Sequence, residues 1–160
     1  MRILICAVGR MKTGPETQLL DRYMERFRSA GRGIGISAAD IRELPESRNA
    51  NAGLRRQAEA GAMVAAIGAD SRIVALDETG KDCSSAEIAG LLQRDLDSGS
   101  PAISFLIGGP DGHGDQVLQQ AGLRLAFGRA TWPHQLVRIM LAEQLYRAVT
   151  ILTGHPYHRG

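Results

Sequence analysis

Three stretches of the chain concentrate residue types that can do chemistry. The first is FLIGGPDGHG, Phe105 to Gly114, an apolar run that breaks into glycines. Where such a run ends a strand of an open α/β sheet, a turn stripped of side chains lets backbone N–H groups face a ligand at the carboxyl edge. Pro-Asp-Gly is also good turn chemistry in its own right, so a bare turn is the alternative. The second stretch is the tail HPYHRG, His155 to Gly160. There Tyr157 could stack on a base, Arg159 could hold a phosphate and His158 could exchange a proton near neutral pH; ordinary fraying of a terminus competes with that reading. His155 and His158 lack a third and fourth ligand at usable spacing, so no metal site is expected.

The third stretch is a charge bias. From Gly122 to Gly160 the chain carries Arg124, Arg129, Arg138, Arg147 and Arg159 against the single acidic residue Glu143. The planar guanidinium fork suits phosphate, so the surplus points to a nucleic-acid backbone near the end of the chain. For Arg138 and Arg147 a place on the solvated face of a helix explains the same residues. One apparent nucleotide motif is set aside: GIGISA (Gly33 to Ala38) has the GxGxxA spelling, but it leads into a strand instead of joining a strand to a helix. A P-loop is absent as well.

Short β-rich runs alternate with amphipathic helices, the pattern of an α/β fold on a mainly parallel sheet. ILICAV (Ile3 to Val8) reads as a buried first strand, and Leu19, Leu20, Tyr23, Met24 and Phe27 recur at helical spacing. Ile34 to Leu44 alternates loosely, as an outer strand does, and Pro45 to Gly53 is a polar connector, the least structured part. A helix is expected over Leu54–Ile67 and a strand over Arg72–Asp77 that runs into the turn ETGK. Ser84 with Glu87 forms a capping box ahead of the stripe Ile88, Leu91, Leu92 and Leu96. Ala102–Gly109 is a buried strand, followed by a short helix over Asp115–Ala121, a strand over Leu123–Phe127 and a last helix over about Gln135–Leu152. That helix is apolar over most of its circumference, which predicts burial on two sides, either in a dimer interface or within one chain.

Composition bounds what these pieces can be. The 160 residues are 44% hydrophobic and carry a net charge of only +2, which fits one ordinary domain and excludes binding of nucleic acid by bulk charge. Cys6 and Cys83 make no disulfide framework, and the opening apolar run is too short for a signal peptide or a membrane span. The expectation is a cytoplasmic protein.

Taken together, FLIGGPDG, GRATWPHQLVRIMLAEQLYRA and the terminal HPYHR, with AVGRMK in the first strand and the LDETGK turn, resemble the bacterial large-subunit ribosomal RNA pseudouridine N3-methyltransferases of the SPOUT superfamily. The likeness runs the whole length, 1–160, as one SPOUT methyltransferase domain. It implies an α/β fold with helices on both faces of the sheet and a C-terminal trefoil knot, S-adenosylmethionine as cofactor, and a homodimer whose site is completed by the partner's chain. The general rule against threaded connections would not have led to a knot. Carried onto this chain, the cofactor pocket falls on Leu76, on Gly109, and on Gly128, Arg129, Ala130, Thr131, Trp132 and Pro133. In that loop Arg129, Ala130 and Trp132 depart from the usual residues, Trp132 replacing a smaller aliphatic one.

The implied reaction moves a methyl group to ring N3 of a pseudouridine in a stem-loop of 23S ribosomal RNA, in the context of the large subunit. An imide N–H is a poor nucleophile until its proton leaves, so a base is expected. His158 is the candidate, with Tyr157 and Arg159 holding the ring and the phosphate, and bulk water competes as acceptor. Two rival readings are a non-catalytic RNA-binding module and a SPOUT methyltransferase acting on transfer RNA.

Overall fold

The computed structural model describes residues 1–157. Five strands form one parallel sheet: β1 (Arg2–Val8), β2 (Ala38–Leu44), β3 (Ser71–Asp82), β4 (Ala102–Ile107) and β5 (Leu123–Ala126), in the order β2-β1-β4-β3-β5. The helices are α1 (Pro15–Gly31), α2 (Ala52–Ala66), α3 (Ser85–Asp97), α4 (Asp115–Gln120) and α5 (His134–Leu152).

Alternation along the central strands divides the core into two layers. Ile3, Ile5 and Ala7 of β1, with Ile103, Phe105 and Ile107 of β4, meet Leu20, Met24 and Phe27 of α1, Leu92 of α3 and Leu145 of α5. The residues between them, Cys6, Val8 and Leu106, face Ala60 and Met63 of α2 and Val117 of α4. Each Leu or Ile so buried contributes roughly 1.5–3 kcal/mol. A sheet apolar on both faces needs helices on both, and that is why its central strands read as unbroken hydrophobic runs.

Several local expectations hold in detail. The Ser84 hydroxyl accepts from the Glu87 amide while the Glu87 carboxylate accepts from the Ser84 amide. Two differ. β3 does not stop at Asp77: it continues to Asp82, with a shift in its pairing to β5 between Leu76 and Lys81. The extra residues bulge outward because Asp77 closes a turn on the Thr79 amide and hydroxyl, and because Gly80 lies against the backbone of Arg124, where a Cβ would come within 2.7 Å. The Pro45–Gly53 connector is without regular structure up to Asn51, yet it is pinned. Asn51 caps α2 by accepting from the amides of Gly53 and Leu54, Ser47 donates its amide to Glu59, and Arg55 donates to the carbonyls of Asn49 and Ala50.

The apolar girth of α5 is largely spent within one chain. Ile139, Leu141, Ala142, Leu145, Ala148 and Val149 are buried against the sheet, α1 and α3, leaving Leu136 exposed and Val137, Met140, Tyr146, Ile151 and Leu152 half-buried. Among the described residues no helix is long and apolar enough to cross a membrane.

Candidate active site

In a parallel sheet all carboxyl ends lie on one edge, and there the loops after β4 and β5, together with the β3 bulge, enclose a cavity of about 820 Å³. Leu76, Ile107 and Leu125, apolar residues toward the carboxyl ends of β3, β4 and β5, line it together with Phe127 and Val137. The rim is polar: Asp77, Glu78 and Thr79 on the β3 side, Asp111 and Arg56 opposite.

The glycine turn after β4 owes its shape to close backbone contacts. Gly112 donates its amide to the Gly109 carbonyl at 3.0 Å and has a φ of 81°. A Cβ at Gly108 would lie 2.9 Å from the Gly112 carbonyl carbon, and one at Gly114 would lie 2.5 Å from the carbonyl oxygen of Arg56. At Gly108 and Gly114 the turn therefore packs backbone to backbone on itself and on α2, with no room for a side chain. Arg55 grips it from outside: Nε and Nη2 donate to the two oxygens of Asp111 at 2.6 and 3.1 Å.

His113 follows that turn and is 8% exposed. Its Nε2 lies 3.0 Å from the Leu76 carbonyl, so the neutral ring donates there, and its buried Nδ1 has no partner. Burial pushes its pKa down, outweighing the hydrogen bond to Leu76 and the nearby Asp77. Partial burial raises the Asp77 carboxyl, but the Thr79 hydroxyl and amide and the charges of His113 and Arg124 hold it below the usual range on balance. Because the folded His113 binds its proton less readily than the unfolded one, its contribution to stability is complete above about pH 6.5 and is lost as pH falls toward the lowered folded value. Chemical denaturation at pH 7 and pH 5 is expected to show a smaller loss in His113→Gln than in the parent protein.

The loop after β5 is latched by Trp132, whose indole Nε1 donates to the Phe127 carbonyl at 3.0 Å while the ring walls the cavity. A larger side chain at this position thus closes the loop on itself. In Trp132→Phe the wall stays and the latch goes, at a cost of about 1 kcal/mol, so calorimetry should find binding of S-adenosylmethionine weakened roughly fivefold.

Seven of the eight residues expected to hold a cofactor share this cavity: Leu76, Gly109, Gly128, Ala130, Thr131, Trp132 and Pro133. Arg129 is exposed and is not part of its lining. Sequence reasoning passed over Asp77, Thr79 and His113, although all three stand inside motifs it had singled out, LDETGK and GGPDGHG.

Tyr157 lies elsewhere. Tyr157 donates its hydroxyl to Glu143 at 3.1 Å, its ring centroid is 4.7 Å from that of Tyr146, and the Arg147 guanidinium sits over it. Burial, then hydrogen bonds with Tyr23 and Glu143, push its pKa up. His158 and Arg159 fall outside the described residues. Cavity and Tyr157 are therefore at separate places along α5: His134 and Val137 line the cavity, and Glu143 comes six residues after Val137. At 1.5 Å per residue that is roughly 9 Å.

The basic C-terminal segment also needs correction. Arg138 is neither a phosphate contact nor a solvated decoration, being 1% exposed. It donates through Nη2 to the carbonyls of Val8 and Gly9 and through Nη1 to Glu43, each at 2.8 Å. Arg147 is paired with Glu143 at 2.6 Å, and Arg124 donates to the Leu118 carbonyl.

Over residues 1–158 the chain matches the family described as Predicted SPOUT methyltransferase. It is 54% identical over 159 residues to the ribosomal RNA large subunit methyltransferase H of Afipia carboxidovorans, with 99% of each chain covered. It is 51% identical to the protein of that name from Bradyrhizobium sp. (strain ORS 278), covering 99% of this chain and 98% of the relative. Among solved structures, a probable methyltransferase from Bordetella pertussis Tohama I shares the fold, with a TM-score of 0.51 at 13% identity over 92% of this chain and 95% of that one.

Proposed function

The chain belongs to the SPOUT methyltransferase family, and from that premise we propose that it methylates ring N3 of a pseudouridine in a stem-loop of 23S ribosomal RNA, acting as a cytoplasmic homodimer. The observation that carries the reading is the cavity at the carboxyl edge, built by the three segments that the resemblance names. Its chemistry fits S-adenosylmethionine. Leu76, Ile107 and Leu125 offer an apolar slot for adenine, the side-chain-free Gly108–Gly109 segment lets backbone approach, and the buried free Nδ1 of His113 is an acceptor without a partner. Arg56, on the rim, is the only Arg or Lys in the lining among the described residues, so little there opposes a sulfonium, and Asp77 and Glu78 favour it. The cofactor, when bound, supplies an electrophilic methyl group.

The rest falls to the protein. The target ring must be turned out of its pairing partners, since N3 lies on the pairing edge. It must then be held in line with the transferring methyl while its proton leaves. In this reading His158 accepts that proton, and Tyr157 and Arg159 hold the ring and the phosphate. The separation along α5 supports a tail supplied by the second copy, with the half-buried Val137 and Met140 and the exposed Leu136 as apolar surface for contact. A trefoil path for the C-terminal half belongs to the same reading.

Two tests follow. Labelled S-adenosylmethionine is incubated with the protein and unmethylated ribosomes, separated subunits or transfer RNA. Label in large-subunit RNA is expected, and label confined to transfer RNA would reject the substrate. Separately, a variant defective in the cavity (Gly114→Ala) and one defective in the tail (His158→Ala) are co-expressed so that mixed dimers form. Each alone should be nearly inactive and the mixture should regain part of the activity. No recovery would reject a shared site, and full single-turnover activity of His158→Ala at neutral pH would reject it as the base.

A further inference from the structure

The RNA-contacting surface was expected at the C-terminal arginines, but Arg138 is buried and Arg147 is ion-paired. Arg129 is exposed and in no ion pair among the described residues, beside the loop after β5; a group of such cations lies at the carboxyl ends of β1 and β2. Arg10 and Lys12 follow β1, Arg48 lies in the connector after β2, and Arg56 stands in the first turns of α2. All four are exposed, and none is in an ion pair among the described residues.

They sit on one stitched surface. β2, β1 and β4 are neighbours in a parallel sheet, so the segments that leave them emerge side by side. Met11 donates its amide to Glu43 at 2.9 Å, tying the first loop to the end of β2. Arg138 fixes the same corner through the carbonyls of Val8 and Gly9. Arg55 binds the connector on one side and Asp111 of the glycine turn on the other. Arg56 itself lines the cavity, and the segments that carry Arg10, Lys12 and Arg48 adjoin that side of it through these contacts.

The acids here are mostly drawn inward. Glu43 is engaged by Arg138 and Met11, Glu59 is buried and accepts from Ser47, and Asp111 is held by Arg55. Glu46, against Gly9, and Glu16, against Gly14, are the exceptions. Across the cavity the β3 bulge presents Asp77 and Glu78. The cavity is therefore flanked by cations on the β1–β2 side and lined by acids on the β3 side.

We propose that Arg10, Lys12, Arg48 and Arg56 form the surface that carries the phosphate backbone of the substrate RNA next to the target base, so that the strand runs over the β1–β2 side of the cavity. This rests on the reading of the protein as an RNA methyltransferase. Guanidinium and ammonium groups held on a pinned surface neutralise phosphates by position, whatever the sequence of the strand. Acidic residues on the opposite rim repel the backbone and fix its side of entry.

The test uses the full-length protein and unmethylated large subunits, with Arg10→Glu/Arg48→Glu, the neutral Arg10→Gln/Arg48→Gln, and Arg94→Glu on α3 as a distant control. Arg56 is left intact because it lines the cavity. Calorimetry with S-adenosylmethionine should give parental affinity for all three variants. The reversed pair should raise the KM for large subunits by roughly tenfold to a hundredfold with kcat at saturation little changed. The neutral pair should do so less, with the slope of log affinity against log salt shallower by about one per cation removed. Arg94→Glu should match the parent. A reversed pair with parental KM and slope, or with a loss no greater than that of Arg94→Glu, overturns the proposal, as does a parallel loss of cofactor affinity. If the parent methylates transfer RNA instead, the substrate reading fails, and the same comparison on transfer RNA decides the surface on its own.

Discussion

Gly114→Ala should leave the protein folded but lower its affinity for S-adenosylmethionine by about thirtyfold or more, with methyl transfer falling in step. The added Cβ would lie 2.5 Å from the Arg56 carbonyl oxygen, 2.9 Å from its carbon and 3.0 Å from the Ala60 Cβ. All three belong to α2, whose buried side packs on the sheet through Ala60 and Met63, so the glycine turn is the part that must move. A cavity wall displaced by several tenths of an ångström loses contacts worth roughly 2 kcal/mol, and about 1.4 kcal/mol is tenfold. Gly112→Ala is the instructive contrast. It meets nothing within 4 Å and bears only the strain of a φ of 81°, so a cost of about 1 kcal/mol in stability is expected, with a smaller effect on binding. Equal losses in the two variants, measured by calorimetry, would show that the packing of the turn on α2 does not shape the cavity.

Arg138→Met should be the most destabilising of the single substitutions considered, by about 3–5 kcal/mol. Among the described residues its guanidinium is the one side chain that donates to the Val8 and Gly9 carbonyls at the end of β1, and it is the counter-charge of Glu43. Methionine fills much of the volume and satisfies none of them. Burial lowers the Arg138 pKa, and the Glu43 charge and hydrogen bond oppose that shift. The side chain of Glu43 is 31% exposed, so water can replace part of what it loses. Glu43→Gln, which keeps an acceptor, should accordingly cost only about 1 kcal/mol. For a chain of this length the Arg138→Met loss corresponds to a fall in Tm of roughly 6–20 °C, measurable by calorimetric melting. A change under 2 °C would mean that Arg138 does not hold the β1 corner.

How far the sequence foretold these features depends on the range of the interactions involved. Strands and helices were legible because alternation and helical spacing are local, and the Ser84–Glu87 box was legible for the same reason. The partners of Arg138 were not, since Glu43 lies 95 residues away and nothing in VRIML marks the arginine as buried. Its neighbours in composition, five arginines against one acid, made it look like part of an RNA surface. The bulge of β3 was missed because ETGK reads equally well as a turn that ends a strand, and only the close approach of Gly80 to Arg124 turns it into an excursion within one. Within the cavity, the glycine turn stood out by its glycines at the end of an apolar run, with a bare turn as the alternative, and its place in a cofactor pocket came from the family resemblance. The burial of His113 depends on the β3 carbonyl it meets, 37 residues earlier in the chain. The free cations of the β1–β2 edge were scattered in sequence and became a surface only through strand order.

The central claim is chemical, and it is tested most directly at the modified nucleotide. Large subunits lacking the modification are treated with the protein and S-adenosylmethionine, and the ribosomal RNA is digested for mass spectrometry while a second portion is reverse-transcribed. One added methyl on a pseudouridine at ring N3 is expected, with a strong stop in reverse transcription at that position, because N3 lies on the pairing edge. A methyl on the ribose, on another ring atom or on another base, or no methyl on large-subunit RNA at all, would contradict it.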